Sequence, residues 1–288
     1  MMNGPLNINE HVEHEKKQID LILETVHQLS GFDFNNYNRN HIKRRLHLRM
    51  SQEGSSDLTS LLNEINCNPQ LLDKILNDFS IQVTTMFRDP LFFLKFRRNV
   101  IPLLKNFPEI YVWHAGCSTG EEAYSLAILL KEEGLLERAR IYATDISEEA
   151  INKARIGKFP LHRMNNYRKN YYAAGGELEF SEYYNADDTY AYFDPSITNS
   201  IYFHQHNLVV DGSINEFHII LCRNVCIYFN ADLQNHVHQL LHASLHNEGF
   251  LCLGDQESLI SLDSKKYFQE FDAKCKIYKK NDYFRSGS

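Results

Sequence analysis

The first third of the chain repeats apolar residues at helical spacing. An amphipathic helix that ends near Gly31 is predicted by Ile19, Ile22, Leu23, Val26 and Leu29. The same spacing predicts further helices over residues 37–50, 57–65, 69–79 and 90–104. We therefore expect an all-helical N-terminal domain.

From residue 109 onward, short apolar runs alternate with amphipathic segments. The apolar runs predict strands at 109–116, 140–145, 217–224 and 250–255. The segments between them predict helices at 121–134, 147–157 and 231–249, the second with Ser147 as its N-cap. This alternation is typical of an α/β fold with a mostly parallel sheet that is covered on both faces. Between residues 159 and 207 the alternation stops, and this stretch is rich in Tyr, Asn and Gly. Short β-like pieces at 189–193 and 200–206 predict a small β-rich insertion.

Composition narrows the class of protein. The 288 residues are 43% hydrophobic and 23% charged, which is enough apolar material for a folded core and excludes a disordered chain. The net charge of −7 disfavours a general nucleic-acid binder. The longest apolar runs fall short of the ~18 residues that cross a bilayer, and the first residues are polar. We therefore expect a cytoplasmic protein that is not inserted in a membrane.

The cysteines and histidines are not expected to hold a metal. The six cysteines lie far apart and several fall in apolar runs, so buried reduced thiols are preferred to disulfides or a zinc site. His238, His242 and His246 share an i, i+4 spacing that could bind a metal on one helix. They lack the glutamate of an HExxH pattern, so a solvated helix face is the preferred interpretation.

The segment VWHAGCSTGEEAYSLA, residues 112–127, predicts a strand, a glycine turn and a helix. Gly116 and Gly120 allow the backbone to approach a ligand closely. The spacing is neither that of a phosphate-binding P-loop nor that of a dinucleotide fingerprint. Glu121 and Glu122 would repel a pyrophosphate and suit a cationic or hydroxyl-bearing ligand. Alternatively, they are favourable charges at a helix N-terminus.

Asp145 ends the second predicted strand. In an α/β sheet the ligand crevice lies at the carboxyl ends of the strands, where an acid can accept hydrogen bonds from a ribose diol. Alternatively, Asp145 is a charge before the next helix. Together with the glycine turn, it predicts a pocket for a nucleoside without a pyrophosphate.

Three motifs carry a resemblance to a known family. GCSTGEEAYSLA, with QVTTMFRDP upstream and LCRNVCIYF downstream, resembles the CheR family of chemotaxis receptor methyltransferases. The resemblance covers nearly the whole chain. It implies a helical receptor-docking domain over residues 1–88 and a Rossmann-like methyltransferase domain over 89–288, with a β-subdomain at about 159–206. It also implies transfer of methyl from S-adenosylmethionine to receptor glutamates, which forms glutamyl methyl esters and S-adenosylhomocysteine.

The resemblance assigns cofactor-binding roles to residues of the motifs QVTTMFRDP and LCRNVCIYF. Gln82, Thr84 and Arg88 match a segment that closes over the cofactor, and Gln82 replaces the usual asparagine of the family. Arg223 and Asn224 match a segment that lines the cofactor. Arg88 is also implied to be catalytic.

Other matched residues lie along the rest of the predicted crevice. The resemblance places Glu122 at the methionine part of the cofactor, Asp145 at the ribose, and Asn207 with Leu208 beside the adenine. Tyr228 matches a tyrosine near the transferred methyl group, which implies a catalytic role. Gly116 is expected to let the loop approach the cofactor.

A basic helix stands out in this acidic chain. Its charges are expected to dock an acidic helical substrate and are carried by Arg39, Lys43, Arg44, Arg45 and Arg49. A solvated face is the alternative, and nucleic-acid binding is a weaker one. For the whole protein, the alternatives are a methyltransferase of the same fold that acts on another protein or a small carboxylate, and a cofactor-binding signalling module without turnover.

Overall fold

The computed structural model describes residues 8–80, 84–259 and 262–281. Contacts divide the described chain into two compact units. The first contains the described residues before Gln82 together with Tyr228–Leu233, and the second contains the other described residues.

The first unit is helical, as predicted. Its helices are α1 (Ile8–Ser30), α2 (Arg39–Glu53), α3 (Leu58–Cys67) and α4 (Pro69–Phe79). Side chains that accept helix N–H groups fix the starts of α2, α3 and α4, and belong to Asn38, Asp57 and Asn68. The core contains fully buried side chains from each helix, including Val26, Ile42, Leu46, Leu61 and Ile75.

The segment Tyr228–Leu233 belongs to the helical unit although it is distant in sequence. The N–H of Asn38 donates to the carbonyl of Tyr228 at 2.7 Å. The rings of Tyr37 and Phe229 pack edge to face with centroids 5.0 Å apart. Both the backbone and the side chains of the segment are therefore held by the turn before α2.

The second unit is an α/β domain. Its strands are β1 (Ile110–Ala115), β2 (Ala139–Asp145), β3 (Lys158–Pro160), β4 (Tyr184–Ala186), β5 (Tyr190–Phe193), β6 (Ile201–Gln205), β7 (Phe217–Cys222), β8 (Leu245–Leu253), β9 (Phe268–Asp272) and β10 (Ile277–Lys280). Its helices are α5 (Pro90–Asn99), α6 (Ile101–Leu104), α7 (Glu121–Glu132), α8 (Glu148–Ile156), α9 (Met164–Ala173), α10 (Pro195–Thr198), α11 (Ala231–Ala243, which starts in the first unit) and α12 (Leu262–Tyr267).

The main sheet has a mostly parallel topology. Among the described residues, seven strands follow the order β6-β2-β1-β7-β8-β10-β9. Strands β6, β2, β1, β7 and β8 pair in parallel, whereas β10 is antiparallel to both of its neighbours. Nearly every residue of β1 and β7 is buried, as expected for central strands covered on both faces.

The stretch expected to form a β-rich insertion is only partly a separate sheet. β5 pairs antiparallel with β3 and β4, and α9 was not predicted. Residues 200–206 were expected in the insertion, but β6 pairs with β2 at the edge of the main sheet. Buried and exposed residues alternate along β6, because an edge strand is covered less completely than a central one. The same alternation is expected of a strand in a small separate sheet.

Two predicted helices have different ends in the structure. The helix expected over 90–104 is divided into α5 and α6, because Pro102 lacks the N–H that a continuous helix requires. The helix expected over 231–249 ends at Ala243, and the following residues pair with β7 as β8. His246 therefore lies on a strand, so the interpretation that placed it on a helix face with His238 and His242 was wrong.

The boundary between the two units lies before Gln82, earlier than the boundary expected after residue 88. Met86 and Phe87 are fully buried in the core of the second unit. The N–H of Phe87 donates to the Ser125 hydroxyl in α7 at 2.8 Å. The end of the motif that contains Arg88 is therefore built into the α/β unit.

Candidate cofactor and active site

The carboxyl ends of the parallel strands meet at one edge of the main sheet. β2 and β6 lie on one side of β1, and β7 and β8 lie on the other. The strand order therefore reverses between β1 and β7, where ligands of open α/β sheets bind. The predicted site residues lie at or after these strand ends: Gly116, Arg223 and Asn224 follow β1 or β7, Asp145 is the last residue of β2, and Glu122 lies in the first turn of α7.

The loop between β1 and α7 brings its backbone close to the neighbouring loop. Gly116 and Gly120 have φ angles of 78° and 93°, in the region that favours glycine. Ser118 adopts a positive φ of 52° between them. A Cβ added at Gly116 would overlap the side chain of Val225, which follows β7. Both the conformation and the space at this position therefore require glycine.

Asp145 binds backbone groups of the segments that follow β1 and β2. Its Oδ2 accepts the N–H of Ser118 at 2.8 Å, and its Oδ1 accepts the N–H of Ser147 at 3.0 Å. Burial raises the pKa of Asp145, although these N–H groups oppose the shift. A carboxylate has about four acceptor positions, so Asp145 retains the capacity to bind a pair of hydroxyl groups.

The three sequence motifs meet in one buried ionic network. Arg223 donates to Glu122 Oε2 at 2.6 Å and to Asp89 Oδ2 at 2.7 Å. It also donates to the carbonyl of Arg88 at 3.4 Å. The guanidinium carbon lies 4.0 Å from the centre of the Phe92 ring. One guanidinium therefore joins the motifs that follow β1 and β7 to the segment before α5.

Glu122 is stabilised in its charged form. Burial by itself would raise its pKa, but the pKa is lowered because the charge of Arg223, the hydrogen bond from His114 and the charge of Arg88 outweigh burial. The pKa of Asp89 is raised by burial, against the opposing charge of Arg223. The start of α7 therefore carries a buried carboxylate that stays ionised at neutral pH.

The predicted cofactor residues after β7 differ in exposure. The side chain of Arg223 has no exposed surface, and its guanidinium pairs with Glu122 and Asp89. Asn224 is partly exposed and has a positive φ of 61°. Its N–H donates to Glu257 at 2.7 Å. Glu257 is buried and was not among the residues predicted from sequence.

Asn207 and Leu208 follow β6 at the same edge of the sheet. β6 pairs with β2 in a register that places Gln205 opposite Asp145. Asn207 is held in a tight turn, because its Oδ1 accepts the N–H of Val209 at 2.9 Å. Leu208 is buried. The structure therefore brings this pair to the edge that also carries Asp145.

The remaining predicted residues are placed differently. Gln82 lies outside the described residues, whereas Thr84 is described and partly exposed. Tyr228 belongs to the helical unit, where its ring centroid lies 4.8 Å from that of His41.

Several basic residues of α2 form ion pairs inside the first unit. Arg39 and Lys43 pair with acids of α1 at 2.8 and 2.5 Å. Arg49 pairs with an acid of α4 at 2.7 Å, and its side chain is only 14% exposed. Arg44 is exposed and Arg45 is partly exposed. The expected docking face is thus partly exposed, while Arg49 fastens α2 to its neighbour.

Glu121, the first residue of α7, was not assigned a site role from the sequence. Glu121 is buried and accepts the hydroxyls of Thr119 at 2.6 Å and Tyr167 at 3.3 Å. Arg163 also approaches it at 3.5 Å. Burial raises the pKa of Glu121. Since Arg163 and Tyr167 lie between β3 and β4, Glu121 links that inserted stretch to the start of α7.

Family models match both units of the chain. The all-alpha domain of CheR methyltransferase matches residues 17–80. The S-adenosylmethionine binding domain of CheR methyltransferase matches residues 82–277. The chain belongs to the CheR methyltransferase family. The predictions of family, fold class and cofactor are confirmed.

Relatives of this CheR methyltransferase share most of its length. Cher3 of Pseudomonas putida, provisionally named a methyltransferase, is 42% identical over 255 residues, which cover 88% of this chain and 92% of the relative. A chemotaxis protein methyltransferase of Listeria innocua is 28% identical over 233 residues, which cover 80% and 86%. One of Borreliella burgdorferi is 26% identical over 288 residues, which cover 95% and 97%.

The crevice of this CheR methyltransferase fits S-adenosylmethionine. A sulfonium and an ammonium group suit carboxylates such as Glu122, and ribose hydroxyls suit the acceptors of Asp145. Within the described part of the chain, the buried Ser118 Oγ and Asn224 Oδ1 have no hydrogen-bond partner. Buried polar atoms are normally paired, so these two atoms are suited to a polar ligand.

Neither a metal cluster nor a membrane span is found in the described ranges. Among residues 8–80, 84–259 and 262–281, no group of three or more His, Cys, Asp or Glu side chains could hold a metal ion. In the same ranges, no helix combines the length and apolar character needed to cross a bilayer.

Proposed function

We propose that this CheR methyltransferase transfers methyl from S-adenosylmethionine to glutamate side chains of chemotaxis receptors, forming glutamyl methyl esters and S-adenosylhomocysteine. The observation that carries the proposal is the Arg223 network, which joins three separate motifs at the point where the strand order reverses. We assign receptor docking to residues 1–88 and catalysis to residues 89–288. The helical cytoplasmic region of such receptors is the proposed partner, which places the reaction in the cytoplasm.

The proposed reaction makes few chemical demands on the protein. When bound, S-adenosylmethionine supplies a methyl group on a sulfonium that is its own leaving group. A glutamate has an ordinary pKa of about 4.3 and is already ionised at neutral pH, so no general base is needed. The protein must align carboxylate oxygen, methyl carbon and sulfur, and such orientation can supply roughly 7–11 kcal/mol.

The cofactor is proposed to lie across the strand ends. Glu122 would hold the charged methionine part, because its pKa is lowered and it stays anionic. Asp145 would accept the ribose hydroxyls. Asn207 and Leu208 would border the adenine, because β6 places them beside the end of β2.

Arg88 and Tyr228 are the proposed catalytic residues. The charge of Arg88 lowers the pKa of Glu122, so its guanidinium acts on this site. We assign it to orienting the cofactor or the non-attacking oxygen of the substrate, because a tight grip on the attacking oxygen would stabilise the ground state. The hydroxyl of Tyr228 is assigned to placing the methyl group or the carboxylate. Thr84 and Gln82 are assigned to the segment that covers the cofactor.

The partly exposed basic face of α2 is the proposed docking surface for an acidic receptor helix. The proposed contacts are Arg39, Lys43, Arg44 and Arg45. Their charge should act chiefly on association rate and salt dependence.

The decisive experiment is transfer of labelled methyl groups into purified cytoplasmic fragments of the host receptors. We expect base-labile incorporation, which identifies an ester, and loss of label when the target glutamates are changed to alanine. Incorporation should also decrease as salt is raised. Cofactor binding without incorporation would indicate a signalling module, and incorporation only into another protein would contradict the receptor assignment.

A further inference from the structure

Glu257 gathers backbone donors from two loops at the edge of the sheet. Its Oε1 accepts the N–H groups of Val225 at 2.9 Å and Cys226 at 2.7 Å. Its Oε2 accepts those of Asn224 at 2.7 Å and Gly254 at 2.6 Å. Each carboxylate oxygen therefore accepts two backbone N–H groups.

This carboxylate is buried and lacks a cationic partner in the described chain. Glu257 is 5% exposed, and none of the ion pairs formed among the described residues includes it. Burial raises its pKa, and the four N–H groups oppose that shift. Four converging donors suit an anion, because each hydrogen bond to a charged acceptor is about twice as strong as a neutral one.

The loop that Glu257 holds has little freedom to rearrange. Asn224 has a positive φ of 61°, which few non-glycine residues adopt. A Cβ at Gly254 would lie 2.7 Å from the side chain and 2.9 Å from the N–H nitrogen of Asn224. Val225 fills the space beside Gly116, so its position also fixes the spacing between the loops after β1 and β7.

We propose that Glu257 is a positioning residue, whose carboxylate holds the loop Asn224–Cys226 in the conformation that receives S-adenosylmethionine. The proposal rests on the cofactor placement given above. Glu257 acts through the backbone of this loop and does not itself touch the reacting atoms. Arg223 directly precedes this loop, so Glu257 also fixes the position from which Arg223 reaches Glu122 and Asp89.

The substitution Glu257→Gln tests this role. An amide keeps one acceptor oxygen, so in either orientation two of the four N–H groups would face an NH2 donor. We expect the dissociation constant of S-adenosylhomocysteine, measured by calorimetry on the full chain, to rise at least tenfold, with an unchanged circular dichroism spectrum.

The matched control is Glu132→Gln. The side chain of Glu132 is 7% exposed, accepts hydrogen bonds from Tyr171 and Tyr183 and pairs with Arg97, but it lies at the far end of α7 from the cofactor loop. We expect this variant to lower the melting temperature without changing the affinity by more than twofold. Equal affinities in wild type and Glu257→Gln, or equal losses in the two variants, would overturn the proposal.

Hydrogen exchange gives a test that needs no variant. In the ligand-free wild type, the amides of Asn224, Val225, Cys226 and Gly254 should already be protected. Exchange of these amides at unprotected rates in the folded protein would contradict the proposal that Glu257 holds the loop before the cofactor binds. This measurement tests the proposal even if Glu257→Gln does not fold. Failure of the wild type to bind S-adenosylhomocysteine would instead refute the cofactor placement.

Discussion

Replacing Arg223 by methionine should destabilise the α/β unit strongly. The change removes the arginine partner of Glu122, whose side chain is only 5% exposed, and the arginine that pairs with Asp89, which is 32% exposed. Methionine preserves much of the apolar stem that packs near Phe92. Loss of one partner from a buried ion pair costs about 3–5 kcal/mol, a large fraction of the 5–15 kcal/mol typical of a domain.

Urea unfolding can measure this cost through intrinsic fluorescence. The chain has a single tryptophan, Trp113, which is buried in β1 and donates to the Thr144 hydroxyl at 2.9 Å. Its emission therefore reports on the unit that contains Arg223. We expect a lower urea midpoint with an unchanged slope, because the same surface is exposed on unfolding.

A double-mutant cycle with Glu122→Gln separates the ion pair from general damage. In Glu122→Gln/Arg223→Met both charges are absent, so the double variant should be more stable than the sum of the single effects implies, by up to about 3 kcal/mol. Arg223→Met should also raise the pKa of Glu122, because the largest charge that lowers it is gone. Additivity within about 0.5 kcal/mol would refute the reasoning.

Three other changes test separate parts of the structure. Gly116→Ala should lower the free energy of unfolding by about 2–5 kcal/mol, of which about 1–2 comes from the left-handed φ and about 1–3 from overpacking against Val225. Adding Val225→Ala should relieve only the overpacking. An equal cost of Gly116→Ala with Val225 and with Ala at that position would contradict the overlap. Arg88→Ala should remove most methyl transfer while circular dichroism stays unchanged, and near-normal turnover would exclude its catalytic role. Burial and neighbouring arginines lower the pKa of His41 from 6.5 to about 4. The folded protein then binds fewer protons than the unfolded chain, so stability should fall from about pH 6.5 to 4. His41→Phe should flatten this part of the melting temperature profile, and an unchanged slope would disprove the assignment.

Local signals in the sequence were sufficient for most helices and parallel strands. Ser147 caps α8 by accepting the N–H of Ala150, as its position before the first acidic turn predicted. The helix over 69–79 begins at Pro69 and ends at Phe79, as expected. Such elements were predictable because capping, proline and apolar spacing act over a few residues.

The features that were missed depend on contacts between distant residues. Arg223 and Glu122 are 101 positions apart, so neither sequence motif reveals that they form an ion pair. Residues 245–249 continue a helical pattern, but pairing with β7 makes them a strand. Glu257 follows β8 as an ordinary acid in sequence, and its role emerges only when β7 and β8 bring four N–H groups together.

The negative charges of the acids at the sheet edge are stabilised by different partners, and this difference indicates which ligand charge the crevice favours. Arg223 stabilises the charge of Glu122, and backbone N–H groups partly stabilise those of Asp145 and Glu257. Glu121 has a raised pKa because burial outweighs its hydroxyl and arginine partners. A cationic ligand in the crevice would favour the charged forms of Asp145 and Glu121, whereas an anionic one would add to the cost of their burial. The charge of Glu122 is therefore offset within the protein, whereas the ionisation of Asp145 and Glu121 would be stabilised by a positively charged nucleoside.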